Sequence, residues 1–501
     1  MERVLPNQIF ELMGKSIEYV YSFAPMAEKT VFFVTPTVEK YVADLAEASG
    51  LEEDILTMTL GMFLCYPLGF IMSLLPYGKI KHLFSFLLGA FLLQVTLRKQ
   101  WVHQMITSLV CYTIFLVFPA KLSKTIVPIF LMIYVSAGHL HRQYVNYLGW
   151  DMDFTSAQMV LTMKLYSLAY NLYDGHVLAK GIEDRAAKKC SHLAVPQLPG
   201  LIEYLGYTFC FSSVLAGPAY EYMPYASACD GSKMFDKSGK PLGKLPNRAW
   251  PTIQALVTSI FCLAVFLVYS VKLPLLDPAN PQTNLPVLIT TEFLAKPWIQ
   301  RYMYTWASLF LIRQKYYFVW KNAEGSNNIW FAGFDGFDQS GKSLGWETSN
   351  NIDILSFELA SNVKGATSAW NKKTANWLGR YVYMRTNGNL FATYAMSAFW
   401  HGFYPGYYLF FFSVPLLTFC ERIGRKKISP HFVNTKLSGI YKIVCVLTTS
   451  FLIEYFIIAF QLLAWDWAFA GWKSHYFFGH LLCIGFYLLV SQLPTPKSKK
   501  L

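Results

Sequence analysis

One histidine stands beside an interruption in an aromatic, apolar part of the chain. His401 follows Trp400 near the end of a short apolar segment, 390–404, and Pro405-Gly406, which is predicted to stop the helix, comes directly after it. At 1.5 Å per residue the segment is about 22 Å long, too short to cross a hydrocarbon core of ~30 Å comfortably. In a membrane protein, an ionisable residue beside such a break is a candidate functional group. The alternative is an ordinary core histidine at an aromatic helix end.

A second candidate helix has two distinct faces. Trp370, Thr374 and Trp377 share one face, whereas Lys373 and Arg380 lie on the other. Aromatic and polar groups beside positive charge could bind an anionic substrate. An interfacial helix with an aromatic belt and long basic side chains that reach towards water would have the same pattern.

A third stretch combines positive charge with paired tyrosines. Arg313 and Lys315 are followed directly by Tyr316 and Tyr317. The bases could bind phosphate through charge-assisted hydrogen bonds. The alternative is a positive loop flank with aromatic rings at headgroup level.

Composition indicates that these residues belong to an integral membrane protein. Of the 501 residues, 54% are hydrophobic, 17% aromatic and only 15% charged. A soluble globule has too little interior for so much apolar surface, and disorder is excluded for the same reason. The net charge of +13 comes from bases between apolar runs, which suits anionic headgroups or a phosphorylated substrate rather than nucleic acid. The nine scattered cysteines include no C-x-x-C pair, so no metal site is predicted.

Hydropathy predicts an all-α, polytopic membrane protein with about 11 transmembrane helices, together with interfacial and broken helices. The stronger candidate spans are 55–75, 82–97, 101–118, 125–140, 253–271, 441–464 and 475–492. The weaker candidates are 158–172, 201–216, 298–320, 390–404 and 407–420. Lys164, Asn171, Asp174 and Glu203 lie in or beside the weaker segments and are expected to face the bundle interior.

The connections are too short for a second domain, so residues 1–501 are interpreted as one membrane-embedded domain. Residues 1–54 are predicted to form an amphipathic segment on the membrane surface. The tail 494–501 is basic and ends in a K-x-K-x-x pattern formed by Lys497 and Lys499. This pattern is a cytosolic retrieval signal, and the alternative is a basic tail that follows the positive-inside rule. No repeat period and no inverted pair of halves is apparent.

Taken together, the three stretches resemble the membrane-bound O-acyltransferases, in the lysophospholipid acyltransferase branch. Residues 400–407 fit the pattern WHGxxPGY, 370–378 fit WNxxTxxWL, and 313–324 fit RxKYYxxWxxxE at every fixed position. The clear similarity runs from about residue 200 to 420, which we expect to be the catalytic core. The resemblance implies a multi-helix enzyme of the endoplasmic reticulum, with its helices enclosing a catalytic chamber. It would transfer a fatty acyl group from acyl-CoA to the free hydroxyl of a lysophospholipid.

The same resemblance implies roles for individual residues. His401 and Asn371 would be the catalytic pair: a neutral imidazole can accept the hydroxyl proton, and an amide can stabilise the oxyanion or orient His401 or the acceptor. The candidates for substrate binding are Trp370, Thr374, Trp377, Trp400, Lys372, Lys373, Arg380, Arg313, Lys315, Tyr316 and Tyr317. The bases among them would meet the CoA phosphates, or would only follow the positive-inside rule.

Acyl-CoA is thus expected as a co-substrate, with no bound cofactor or metal. The expected partners are acyl-CoA, a lysophospholipid and the lipid bilayer, with a homodimer left open. Two other functions compete: an acyltransferase of the same superfamily with a sterol, diacylglycerol or protein acceptor, and a membrane transporter. Headgroup and acyl-chain preference depend on cavity shape and do not follow from the residue pattern.

Overall fold

The computed structural model describes residues 14–15, 18, 21–22, 35–149, 151–277, 285–433 and 435–496. Within these ranges the regular structure is helical, and the only β-structure consists of isolated bridges. The predicted all-α class is therefore confirmed. Most of the predicted surface segment 1–54, and both lysines of the tail signal in 494–501, lie outside the described residues.

Twenty α-helices follow one another along the described chain. They are α1 Thr35–Ser49, α2 Glu53–Leu74, α3 Lys79–Leu97, α4 Val102–Val117, α5 Ala120–Val145, α6 Phe154–Ala179, α7 Arg185–Lys189, α8 Leu201–Thr208, α9 Tyr222–Asp230, α10 Ala249–Tyr269, α11 Thr291–Leu294, α12 Trp298–Ile329, α13 Ile354–Glu358, α14 Val363–Ala369, α15 Lys372–Leu378, α16 Leu390–His401, α17 Pro405–Lys427, α18 Ser438–Leu462, α19 Trp465–Ser474 and α20 Phe478–Gln492.

Five helical segments of the described chain are long and apolar enough to cross a membrane, or six if the bent pair α19–α20 forms one span. The five are Glu53–Leu74, Lys79–Val117, Ala120–Val145, Ala249–Lys272 and Ser438–Leu462. They coincide with stronger candidates from the sequence and support a multi-pass membrane protein. The count of about 11 spans is not confirmed, because the weaker candidates form helices that are short or rich in polar residues. One of them, 201–216, is helical only over Leu201–Thr208.

The predicted break beside His401 is present, but the helix before it ends at a different residue than expected, and Pro405 has a different role. Helix α16 ends at His401, and Gly402 follows with a φ of 119°, a conformation that favours glycine. Pro405 starts helix α17 instead of stopping the preceding helix. Proline suits the first helical position because the N–H that it lacks would have no partner there.

The chain divides into two compact units that alternate along the sequence. The first unit comprises Met1–Ile260, Phe318–Asn351 and Asn376–Gly388, and the second comprises Phe261–Tyr317, Ile352–Ala375 and Asn389–Leu501. Aromatic and aliphatic side chains of α18 and α19, including Tyr455, Phe456 and Trp472, form the centre of the second unit's core. The interpretation of the chain as a single domain stays a prediction.

Helix α6 in the first unit buries polar groups, as its sequence predicts. Lys164, Asn171 and Asp174 are almost entirely shielded from solvent, whereas Glu203 on α8 is half-buried. The Lys164 ammonium donates hydrogen bonds to the carbonyl oxygens of Tyr207 and Thr208. A buried ammonium needs such partners because burial without them is costly.

The structure also reveals a short internal repeat that the sequence reading missed. Residues 235–243 and 337–345 agree at every position except the third and seventh, and each forms a tight hairpin. In each, an aspartate accepts hydrogen bonds from the serine two residues on, which lowers the pKa of Asp236 and of Asp338. The hairpins touch, since a Cβ added at Gly243 would lie 2.3 Å from the carbonyl oxygen of Gly341. This repeat is too short to indicate duplicated halves.

Candidate functional site

The proton on the His401 imidazole is placed by one backbone hydrogen bond. Nδ1 lies 2.7 Å from the carbonyl oxygen of Ser397, one helical turn earlier in α16. A carbonyl oxygen only accepts, so Nδ1 must carry the hydrogen that forms this bond. In the neutral imidazole, Nε2 then holds the lone pair. In this tautomer, Nε2 is the ring atom that can accept a proton.

Aromatic rings surround this half-buried imidazole on several sides. The ring centroids of Trp400, Tyr407, Phe411 and Phe460 lie 4.7, 5.6, 5.1 and 5.3 Å from that of His401. They contribute apolar surface and restrict rotation of the imidazole. A rigid, partly dehydrated setting strengthens the electrostatic interactions that the imidazole makes.

The glycine after Pro405 allows a close backbone approach that holds the start of helix α17. The Gly406 N–H donates to the carbonyl oxygen of Leu463 over 2.7 Å. A Cβ at this position would lie 2.1 Å from the carbonyl oxygen of Ala459, far inside contact distance. The Pro405-Gly406 pair therefore has a structural role. It starts helix α17 four residues after His401 and lets that start pack against the end of helix α18.

Asn371 lies immediately before helix α15 in an unusual backbone conformation. Its φ is +44°, in the left-handed region that asparagine tolerates better than most residues. Its Oδ1 accepts a hydrogen bond of 2.9 Å from the Thr374 hydroxyl. The oxygen of the amide is thus used locally, and Nδ2 is the end with hydrogens to donate. Asn371, Thr374 and His401 all belong to the second unit.

Side chains from the second motif (370–378) and the third motif (313–324) meet around Trp370. Its indole contacts the rings of Tyr316, Tyr317 and Phe357, with centroids 5.8, 6.0 and 4.9 Å away. The packing places the residue before Asn371 on an aromatic base provided by α12 and α13. Residues of two motifs that lie more than fifty positions apart, such as Tyr317 and Trp370, therefore pack together in the second unit.

Arg313 is buried among carboxylates. Its guanidinium donates to both oxygens of Glu358, over 3.1 and 3.0 Å, and forms an ion pair with Glu454. The Tyr317 hydroxyl donates to the same Glu358 over 2.5 Å. These contacts join α12 to α13 and α18, and loss of any one partner would leave a buried charge uncompensated. The predicted contact of Arg313 with a CoA phosphate would require the guanidinium to leave these partners.

The other predicted substrate-binding residues are spread over both units. In the second unit, Lys315 lies over the Tyr316 ring at 5.3 Å, Lys372 and Lys373 are half-buried, and Trp400 is buried beside His401. In the first unit, Trp377 is buried with its ring centroid 5.3 Å from that of Tyr166. Arg380, also in the first unit, donates to Glu221 over 3.1 Å.

Sequence reasoning missed the acidic partners and the group that orients His401. Glu454 is the one acidic residue in the apolar segment 441–464, so the rule that an intramembrane charge needs a partner could have identified it. The Ser397 carbonyl had no sequence signal beyond its position one turn before His401. Glu221 and Glu358 lie in irregular or short helical segments, where sequence periodicity gives no guidance.

The described residues contain no group of three or more His, Cys, Asp or Glu side chains that could hold a metal ion. Two small pockets, each with room for about one water molecule, lie within the first unit on segments around 208–217. Neither is lined by His401 or Asn371. The catalytic chamber enclosed by helices, which the motif resemblance implies, stays a prediction.

Comparison with known proteins identifies relatives along most of the chain. The model of the membrane-bound O-acyltransferase family matches residues 140–463. A "Lysophospholipid acyltransferase" of Schizosaccharomyces pombe is 29% identical, over 86% of this chain and 85% of its own. "Lysophospholipid acyltransferase 1" of Arabidopsis thaliana is 30% identical, over 91% and 98%. "Membrane-bound glycerophospholipid O-acyltransferase 2" of Rattus norvegicus is 31% identical, over 84% and 80%. The resemblance inferred from the three motifs is confirmed.

Proposed function

The chain belongs to the membrane-bound O-acyltransferase family, and from this premise we propose that it moves a fatty acyl group from acyl-CoA to the free hydroxyl of a lysophospholipid. The names of the relatives from yeast, plant and rat support an acceptor of this class. The observation that carries the proposal is the hydrogen bond from His401 Nδ1 to the Ser397 carbonyl, because it leaves Nε2 as the basic atom.

In the proposed reaction, His401 acts as a general base. Nε2 removes the proton of the acceptor hydroxyl while the hydroxyl oxygen attacks the thioester carbonyl. The tetrahedral intermediate then collapses as its C–S bond breaks. The departing CoA sulfur takes the proton from the imidazolium, so the products are the new oxygen ester and free CoA thiol. A thioester is already activated, and the step uses no covalent acyl-enzyme.

Asn371 is proposed to donate its Nδ2–H group to the oxyanion of the tetrahedral intermediate. The hydrogen bond from Thr374 to Oδ1 supports this role, because it fixes the amide orientation. The left-handed backbone at Asn371 supports it further, since strained conformations cluster at functional sites. An amide that instead orients His401 is the alternative.

Coupling of thiol release to the acceptor tests the proposed function against transport. Purified enzyme in lipid nanodiscs is given oleoyl-CoA with and without each of several lysophospholipids, and free CoA thiol is measured. Thiol release that depends on the lysophospholipid, with the matching diacyl product, is expected. Replacing the lysophospholipid by cholesterol or diacylglycerol tests the other acceptor classes. Uptake of lipid without thiol release would instead favour the transporter.

Bases around the second motif are proposed to bind the CoA phosphates, with Lys372 and Lys373 as the main candidates. Lys372→Gln and Lys373→Gln should each raise KM for acyl-CoA about ten- to a hundredfold and leave KM for the lysophospholipid unchanged, because one charge-assisted hydrogen bond is lost. Arg313→Gln is the contrasting variant. It should lower the melting temperature, because Glu358 and Glu454 would lose their buried partner. Unchanged donor KM in both lysine variants would assign these bases to the positive-inside pattern.

We further propose that the protein resides in the endoplasmic reticulum with a cytosolic C-terminus. The basis is the K-x-K-x-x pattern of Lys497 and Lys499, which is read from the cytosol. Lys497→Ala combined with Lys499→Ala should move part of the protein to later secretory compartments, as seen by fluorescence microscopy. A tag after Leu501 should be digested by protease in intact microsomes, and protection of that tag would contradict the topology.

A further inference from the structure

The turn that follows the second motif is held by a closed set of polar contacts. Residues Gly379–Tyr383 form a π-helical turn directly after α15. Within it, the Arg380 guanidinium donates to Oε1 of Glu221 over 3.1 Å, and the Tyr381 hydroxyl donates to Oδ1 of Asn171 over 2.8 Å. Asn171 Nδ2 in turn donates to Oε2 of Glu221 over 2.9 Å. Arg380 and Tyr381, which are adjacent in the turn, are therefore linked through the hydrogen-bonded side chains of Glu221 and Asn171.

A second contact fixes the same segment one turn further on. Arg385 donates to Oδ2 of Asp174 over 2.6 Å, and lies 3.7 Å from the more exposed Asp184. Asn171 and Asp174 are three residues apart on α6, while Tyr381 and Arg385 are four apart. At these spacings, both contacts lie on one face of α6 and on one face of the segment 381–385. Together they fix the position of that segment along α6. All of these residues belong to the first unit.

The polar composition of this network indicates that it fixes the conformation of the turn rather than adding stability. Asn171 and Asp174 are fully buried, yet Oδ1 of Asp174 and Nε of Arg385 have no hydrogen-bond partner within the described residues. Well-packed apolar side chains often stabilise a core as well as a buried ion pair does. Hydrogen bonds require defined distances and angles, so the network restricts the turn to one arrangement. π-Helical turns occur frequently at functional sites.

Arg380 is the partly exposed member of this network. Its side chain is 28% exposed although it is paired with Glu221. A guanidinium has five N–H donors, and the contact with Glu221 uses only part of them. The carboxylate thus fixes the position of the guanidinium, and the remaining donors of this partly exposed side chain are the ones that a phosphate of the acyl donor could engage.

We infer that Asn171, Asp174 and Glu221 are positioning residues, which hold the π-helical turn so that Arg380 presents its guanidinium to a phosphate group of acyl-CoA. The inference rests on the proposed function, because that function supplies the donor. The three residues touch neither substrate, and they act through Tyr381, Arg385 and Arg380.

The test separates positioning from general stability. Glu221→Gln and Tyr381→Phe are compared with the wild type in nanodiscs, using oleoyl-CoA and a lysophospholipid that the wild type accepts. Each variant should raise KM for oleoyl-CoA about tenfold, as expected for one displaced hydrogen bond, while KM for the lysophospholipid and kcat change little. Because the two changes break the same closed network, the double variant should show less than the sum of the two effects on a free-energy scale.

Two matched controls are available nearby. Tyr383→Phe removes a hydroxyl from the same turn, but Tyr383 is exposed. Asp184→Asn removes the weaker partner of Arg385, whereas Asp174→Asn removes the buried one. Tyr383→Phe and Asp184→Asn should keep the donor KM of the wild type, and Asp174→Asn should raise it.

Binding of CoA alone gives a readout that does not depend on acyl transfer. The shift in melting temperature with added CoA should require about tenfold more CoA in Glu221→Gln and Tyr381→Phe than in the wild type. Lower melting temperatures with unchanged CoA affinity and unchanged donor KM would overturn the inference and leave a purely structural network. Equal increases in KM for both substrates would also overturn it. CoA binding by a wild type that never transfers acyl groups to a lysophospholipid would overturn the proposed function instead.

Discussion

Replacing His401 by alanine should lower kcat about 10²–10⁴-fold while KM for acyl-CoA and for the lysophospholipid changes little. The imidazole is proposed to act on the hydroxyl proton only as the transition state forms, so its loss affects the chemical step more than binding. The measurement is steady-state thiol release in nanodiscs, with variant and wild type purified to equal amounts. Single-turnover product formation then checks that the slow step is acyl transfer.

Two further variants control for folding. His401→Gln keeps a polar group at the same place but supplies no base, and it should be as slow as the alanine variant. His480→Gln is the matched control, because His480 is also half-buried, hydrogen-bonded to Tyr455 and packed against aromatic rings in the second unit. It should retain near-normal kcat even if the melting temperature falls. Rapid acyl transfer by folded His401→Gln enzyme would rule out the general-base mechanism.

Asn371→Asp should lower kcat about 10²–10³-fold, the range measured when one oxyanion donor is removed from an enzyme. Aspartate keeps the shape of the side chain, tolerates the left-handed backbone and still accepts the hydrogen bond from Thr374. It loses the amide hydrogens and places a negative charge near the oxyanion. The effect should therefore appear in kcat, measured by the same thiol assay, with the melting temperature nearly unchanged.

Asn387 provides the matched control for this substitution. It also has a left-handed backbone, with φ +54°, and it is exposed at the end of a short helical turn. Asn387→Asp should keep normal kcat. The double variant of His401→Ala and Asn371→Asp distinguishes the two roles of the amide: an effect no larger than that of His401→Ala alone indicates that Asn371 only orients the imidazole. Full activity of Asn371→Asp would remove this residue from the mechanism.

Much of the fold class follows from sequence because hydropathy acts locally. Segments such as 55–75 and 441–464 are apolar over a length that spans a bilayer, and helices form there because the backbone must satisfy its own hydrogen bonds in lipid. The break after His401 was also predictable, since glycine and proline restrict backbone conformation within a few residues. The prediction failed in detail because Pro405 can start a helix as readily as it can end one.

The number of spans did not follow from sequence for a different physical reason. A segment such as 201–216 is apolar because it is buried in protein. The hydropathy of a segment does not distinguish burial in protein from burial in lipid. In the structure its helix ends at Thr208, and the next residues form turns within the first unit. The hairpin repeat was missed because each copy is only nine residues long, and only the structure shows that the two copies touch.

By itself, the sequence determined the all-α membrane class, the family and the identity of the candidate catalytic residues, because these depend on composition and on residue types at fixed short spacings. Only the tertiary structure decided which groups meet. It placed Arg313 between Glu358 and Glu454, and it placed the His401 proton on Nδ1. Charge pairs such as Arg313 with Glu454 join residues more than a hundred positions apart. Their partners are selected by packing, and packing depends on the whole chain at once.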